Sequence, residues 1–230
     1  MKDIKSHIRI NDILLGPLER PALRWLAARQ PAWVTPDTLT WVGILGAVMV
    51  AVGYVLSNVS NNYLWLASLG FVINWFGDSL DGTLARYRKI ERPNYGFFID
   101  HAVDAITEVV IILGLGLSPY LRFNLAALLL IGYLLMSVLV YLRMLVTNVF
   151  QLSYIGLGPT ELRLIAILTN TFVYLFGNPS IKLLFIDLSV FDWVIVVITI
   201  LLFGVFITSA AKQARELSIL DPTPGSAPKK

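Results

Sequence analysis

Residues 123–147 read FNLAALLLIGYLLMSVLVYLRMLVT, a run in which Arg143 is the only formal charge. A helix needs roughly 20 consecutive, mostly apolar residues to cross a bilayer, and this run supplies them. Strands are excluded at this length and continuity, because an open sheet edge cannot sit in lipid. Five more segments of the same kind flank it. Toward the N-terminus they are 96–117, 63–85 and 38–57; toward the C-terminus they are 160–177 and 190–211. Polar or turn residues separate them, from Ser57 to Asn62, Arg86 to Tyr95, Ser118 and Pro119, Gly156 to Pro159, and Gly177 to Ser180. The expectation is an all-α integral membrane protein with six transmembrane helices and no internal repeat.

Composition supports that reading. Hydrophobic residues make up 57% of the chain and charged ones 14%, with a mean hydropathy of +0.72. Soluble domains carry about a quarter charged residues, so this chain has too few to cover a water-facing surface. Cysteine is absent, which excludes disulfides and thiolate metal sites. The sequence pI of about 9.2 invites a nucleic-acid reading, but the placement of the basic residues argues against it. With both termini cytoplasmic, all of the 18 lysines and arginines except Arg122 and Lys182 lie on the inner side, a strong positive-inside bias. The basic surface therefore faces a membrane, and no nucleic acid is expected. From Ile10 to Ala28, leucines and Trp25 interleave with Arg20 and Arg24. This stretch reads as an N-terminal interfacial amphipathic helix or as a surface helix packed on the bundle.

Four carboxylates interrupt the apolar runs. The second span ends with Asp78 and Asp81, and the third begins with Asp100 and Asp104. An ionisable group at a helix centre costs roughly 2.5–3.5 kcal/mol on insertion scales, and such groups are usually functional. Asp78 and Asp81 are three apart and share a helix face; Gly96, Asp100, Asp104 and Glu108 follow at intervals of four and share another. If the two helices pack antiparallel, the four aspartates converge and need cations between them. All-oxygen donors suit Mg²⁺ or Mn²⁺, and two such ions can bridge the phosphates of a nucleotide. The competing reading pairs one or two of the aspartates with Arg86, Arg88 or Arg92. Gly82 allows close approach of a ligand to the helix backbone, and Arg86 offers a fork of donors to a diphosphate. Glu108 and Asn74, each one turn deeper, can touch a cationic or hydroxyl-rich substrate, but the preferred reading is structural, with Arg143 or Arg163 as partner for Glu108.

The segment from Asp78 to Asp104, DSLDGTLARYRKIERPNYGFFIDHAVD, resembles the signature of the CDP-alcohol phosphotransferase family, D-x-x-D-G-x-x-A-R followed by G-x-x-x-D-x-x-x-D. All eight signature positions are present, as Asp78, Asp81, Gly82, Ala85, Arg86, Gly96, Asp100 and Asp104. The spacer from Arg86 to Gly96 is slightly longer than is usual there. The resemblance implies that Asp78, Asp81, Asp100 and Asp104 surround two Mg²⁺ (or Mn²⁺) ions, that Asp104 is also the general base, and that Gly82 and Arg86 contact the CDP moiety. Thr35 to Thr40 resembles a family segment, T-P-N-x-L-T, near the nucleotide, which brings in Asp37 and Thr38; Asp37 stands where asparagine is common. The same residues are good helix-start chemistry.

The implied reaction moves a phosphoalcohol from a CDP-alcohol donor to a hydroxyl acceptor and releases CMP, as in phospholipid biosynthesis. The resemblance also implies a homodimer with a cytoplasmic active site. The organisation expected is a cytoplasmic or interfacial segment 1–34, a six-helix membrane catalytic domain 35–217 and a disordered tail 218–230, in a prokaryotic inner (cytoplasmic) membrane. The pair Asp100-His101 resembles the choline and ethanolamine phosphotransferase branch and favours a CDP-linked small alcohol with a lipid acceptor. CDP-diacylglycerol with a small polar alcohol uses the same metal cradle, so both directions stay open. The alternative class is a transporter or channel with a carboxylate cation site, which predicts broken helices and charges near the bilayer midplane.

Overall fold

The computed structural model describes residues 8–10, 14–147, 149–151, 158–183 and 186–221. The tail from residue 222 and most of the first 13 residues lie outside that range. Among the described residues there are seven helices: α1 (Gly16–Arg29), α2 (Pro36–Leu56), α3 (Tyr63–Arg88), α4 (Pro93–Gly116), α5 (Phe123–Thr147), α6 (Pro159–Phe176) and α7 (Val190–Leu220). Four short strands lie between the helices. β1 (Ile8–Ile10) pairs parallel with β2 (Val149–Gln151), and β3 (Ser180–Leu183) forms an antiparallel hairpin with β4 (Ile186–Ser189).

Local chemistry sets the helix ends. Thr35 caps α2, its Oγ1 accepting from Thr38 N at 3.1 Å, with Pro36 in the first turn. Ser189 and Asp192 form a reciprocal box at the start of α7, at 3.0 and 3.1 Å. Lys89 stops α3 in the left-handed region (φ 56°), and the chain turns there into the loop that leads to α4.

Three helices, α2, α5 and α7, are long and apolar enough to cross a membrane by length and composition. The others expected to span, α3, α4 and α6, carry the charges of the carboxylate region, Asp78, Asp81, Asp100, Asp104, Glu108, Glu161 and Arg163, which lowers their apolar character. Large apolar side chains are nevertheless exposed on all six: Val48, Leu69, Ile106, Ile131, Leu168 and Ile200 are one from each. A soluble protein rarely exposes so much contiguous apolar surface. The chain is an integral membrane protein.

The seam between α2 and α3 positions everything else. A methyl group built on Gly77 would overlap Gly43 N and Leu39 O; one on Gly70 would lie 2.6 Å from Val50 N. Gly46 and Gly53 meet the α3 backbone as closely. Small residues let helices in lipid touch backbone to backbone. Gly114 brings α4 against Ala51 of α2 in the same way.

The first helix packs beneath this pair. Leu23 and Ala27 of α1 are buried with Leu39, Leu80 and Leu84, while Leu14, Leu18 and Trp25 are exposed. Two carboxylates fasten α1 to the bundle. Glu19 Oε1 accepts from Trp75 Nε1 (2.7 Å) and Thr160 Oγ1 (2.9 Å), and Glu161 Oε1 accepts from Leu15 N (2.8 Å). Arg88 donates to the carbonyls of Gln30, Pro31 and Val34 at 2.9, 2.8 and 2.5 Å, closing the end of α1 onto α3.

Candidate active site

The aspartates occupy the facing ends of α3 and α4, as their spacing predicts. Asp78, Asp81 and Asp100 line one small cavity of about 10 Å³ together with Thr40 and Asn74. That volume is close to the minimum for one water-sized body. Asp104, one turn beyond Asp100, lines a second and larger cavity. The charges acting on Asp104 are those of Asp78, Asp100 and Glu108, opposed by Arg163.

Asp81 and Asp78 are held from two different elements. Asp81 Oδ2 accepts from Thr40 Oγ1 of α2 at 2.7 Å. Asp78 Oδ2 accepts from Arg163 Nη2 of α6 at 2.6 Å. Arg163 Nε also donates to Asn74 Oδ1 at 2.8 Å, and Asn74 Nδ2 donates to Gly43 O at 2.9 Å. A chain of hydrogen bonds, charge-assisted where Arg163 donates, therefore runs from the glycine seam through Asn74 and Arg163 to Asp78. Asp100, His101 and Asp104 form a further group whose ligand atoms lie within 4.8 Å of one another. His101 Nδ1 is 3.5 Å from Asp100 Oδ2, and its ring stands edge-on to Phe97.

The residues fit the divalent ions expected of them. Three carboxylates share one cavity, and Arg163 from α6 pairs with Asp78. A carboxylate-rich set of this kind, with His101 beside it, can hold a divalent cation.

The arginines at the end of α3 and just before α4 are engaged elsewhere. Arg86 folds back over Gly82 and donates to Thr83 Oγ1 at 3.2 Å; both signature residues border Asp81, whose Oδ1 accepts from Gly82 N at 2.5 Å. Arg88 holds the carbonyls after α1. Arg92 pairs with Asp37 and lies 4.0 Å over the Tyr95 ring. The Asp37 bond holds the exposed Arg92 guanidinium above its ordinary range. Thr38 serves the α2 cap, its hydroxyl 2.8 Å from that of Thr35.

A family model described as CDP-alcohol phosphatidyltransferase matches residues 33–206. The chain belongs to that family. Among its relatives is a phosphatidylinositol phosphate synthase of Cutibacterium acnes, 37% identical over 87 residues, which are 37% of this chain and 39% of the relative. Cholinephosphotransferase 1 of Gallus gallus is 32% identical over 107 residues, 44% of this chain and 32% of the relative. An archaetidylinositol phosphate synthase of Pyrococcus horikoshii is 30% identical over 105 residues, 45% of this chain and 52% of the relative. The matched stretches thus span about a third to a half of these curated relatives. The matched region contains every aspartate of the signature, Thr40 and Arg163. The last two were not singled out for the carboxylate site by sequence reasoning. Thr40 was quoted only as the end of the Thr35 segment, and Arg163 was named only as a partner for Glu108. An arginine inside an apolar span is itself the signal that marks Arg163.

Proposed function

We propose that this chain transfers a phosphoalcohol, or phosphatidyl group, from a CDP-alcohol to a hydroxyl acceptor with release of CMP, in phospholipid biosynthesis. The observation that carries the reading is the meeting of Asp78, Asp81 and Asp100 around one cavity, with Asp104 a turn deeper, in a chain of this family. The names of the relatives, a phosphatidylinositol phosphate synthase and a cholinephosphotransferase, support the same chemistry.

In this reading Asp78, Asp81, Asp100 and Asp104 hold two Mg²⁺ or Mn²⁺ ions, which when bound neutralise charge on the pyrophosphate. Gly82 and Arg86 receive the CDP moiety, and Asp37 and Thr38 lie at its edge. Asp104 takes the proton of the acceptor hydroxyl. The acceptor oxygen forms a bond to the phosphorus that carries the alcohol, and the bond from that phosphorus to the CMP oxygen breaks, so CMP leaves with the electron pair. Positioning and electrostatics do most of the work in such transfers. The chain crosses a prokaryotic inner (cytoplasmic) membrane six times, through α2 to α7, with both termini and the site cytoplasmic. Its α1 lies in the interface as an amphipathic helix, and the active form is a homodimer. The positive-inside distribution and the exposed apolar residues of six helices support this arrangement. A cation-transport reading predicts broken helices; α3 and α4 run continuously through the carboxylates.

The test is Mg²⁺-dependent CMP release from radiolabelled CDP-alcohols by purified protein in lipid. Asp104→Asn is expected to lose about 10²–10⁴-fold in turnover while still binding the CDP-alcohol. Parental turnover by that variant would remove Asp104 as the base.

A further inference from the structure

The outward face of α1 carries apolar and basic side chains and no acidic one. Leu23 and Ala27 pack into the bundle, and the only carboxylate between residues 14 and 34, Glu19, turns inward onto Trp75 and Thr160. Those contacts fix the rotation of the helix. Leu18, Ala22, Trp25 and Arg29, spaced by four, three and four residues, then form one exposed stripe on the opposite side. Arg20 and Arg24 are exposed beside it. Among the described residues no ion pair reaches Arg24 or Arg29. The Arg29 guanidinium lies 3.9 Å over the Trp25 ring and donates to Trp25 O at 3.3 Å, so ring and charge sit at one level. Trp33, just after α1, and Trp41, in the second turn of α2, are exposed as well.

We infer that this face of α1 binds the headgroups of anionic lipids. The inference rests on the reading of α1 as an interfacial helix and names what the helix meets there. Leu18 and Trp25 supply the apolar area that enters the acyl boundary. Arg20, Arg24 and Arg29 bring positive charge to the same surface, with no carboxylate there to cancel it. A guanidinium is a planar fork of donors that matches the oxygens of a phosphate. A zwitterionic headgroup offers that phosphate too, but its ammonium removes the net charge, so charge is what separates the two lipid classes. A protein segment is the other occupant such a face could take. Exposed tryptophans on α1, after it and on α2 favour the bilayer, because tryptophan gathers at the level of the headgroups.

The chain has no cysteine, so Leu18→Cys can carry a single NBD fluorophore on the full chain in nanodiscs. Quenching is read with acyl-chain nitroxide forms of phosphatidylcholine, phosphatidylglycerol and phosphatidylserine at equal mole fraction. Both anionic lipids are expected to quench more strongly than phosphatidylcholine, with a relative affinity about fivefold higher for an engaged arginine, the equivalent of about 1 kcal/mol. The double variant Arg24→Gln, Arg29→Gln should lose most of that preference. High salt should erode it in the parent, which tests the charge dependence even if the double variant does not fold. Equal quenching by all three lipids overturns the inference and leaves α1 in the interface. So does a preference that persists undiminished in the folded double variant or at high salt, or one confined to a single anionic headgroup, which would mark recognition of that headgroup instead. No quenching by any lipid, as a protein-covered or water-facing helix would give, removes the interfacial placement of α1 and this inference with it. The transferase reading stands in every case.

Discussion

Where α2 meets α3, glycines bring the two backbones into contact; where α4 and α5 face α6 and α7, large side chains hold the helices apart and a cavity remains. The first region fixes Asp78 and Asp81 on a helix that has almost no freedom to shift. The second leaves room beside Asp104 and two polar atoms, Glu108 Oε2 and Arg163 Nη1, without partners. Rigid packing under the carboxylates and looser packing beside Asp104 suit a site that must hold charge in place and still admit a substrate.

The strongest way to break this comparison is at the seam. Gly77→Val would drive its side chain into Gly43 N and Leu39 O, and backbone cannot yield as a side-chain tip does. Loss of the folded protein is expected, read as disappearance of the monodisperse peak and of a cooperative melt. The cost is about 3 kcal/mol or more, at or beyond the usual range for overpacking. A folded variant with parental Tm would show that the seam does not govern the fold.

Next comes the bond that crosses between the two regions. Arg163→Ala strands Asp78 and Asn74, and breaking one side of a buried pair costs about 3–5 kcal/mol. The loss of Tm should be larger in EDTA than in Mg²⁺, because a divalent ion replaces the missing positive charge. Equal losses in both conditions would separate Arg163 from the carboxylate cluster. A related measurement sharpens the site itself. Saturating Mg²⁺ at 100 times its Kd stabilises the parent by about 2.7 kcal/mol, and Asp81→Asn or Asp100→Asn should abolish the rise in Tm while remaining folded. Persistence of that rise in both variants would place the ion elsewhere.

The carboxylate half of the site was legible because helical spacing alone puts Asp78 with Asp81 and Asp100 with Asp104 on common faces. The family signature added Gly82 and Arg86. Arg163 is visible as a charge in an apolar run but not assignable, since periodicity along one helix carries no information about which distant helix it meets. The same limit hid the role of Thr40, whose Asp81 is 41 positions away. Asn74 was read as structural, and it does tie Gly43 to Arg163. Arg88 and Arg92 were weighed as partners for the aspartates, but backbone carbonyls and Asp37 take them instead. The cavity under Asp104 depends on how six helices, α2 to α7, leave space between them, which no linear pattern records.

Smaller effects test the α1 edge and the exposed apolar face. Arg88→Ala removes the donors that close α1 onto α3 and should lower stability by about 1–3 kcal/mol, with faster hydrogen exchange at residues 30–34. An unchanged exchange rate there would mean that the segment holds itself. Val138→Leu, on the exposed face of α5, should change stability by no more than about 0.5 kcal/mol; a large loss would mark that face as packed against another subunit.

The last helix, α7, has 31 residues, so at about 1.5 Å per residue it is near 46 Å long. A hydrocarbon layer is only about 30 Å thick, and a rod of that length either leans or stands proud of it. Lys212, Arg215 and Glu216 cluster near its far end. The helix therefore works as a depth gauge: solvent-accessibility labelling along this one continuous element would mark both water boundaries, and the depth of Asp78, Asp81, Asp100 and Asp104 could be measured against them.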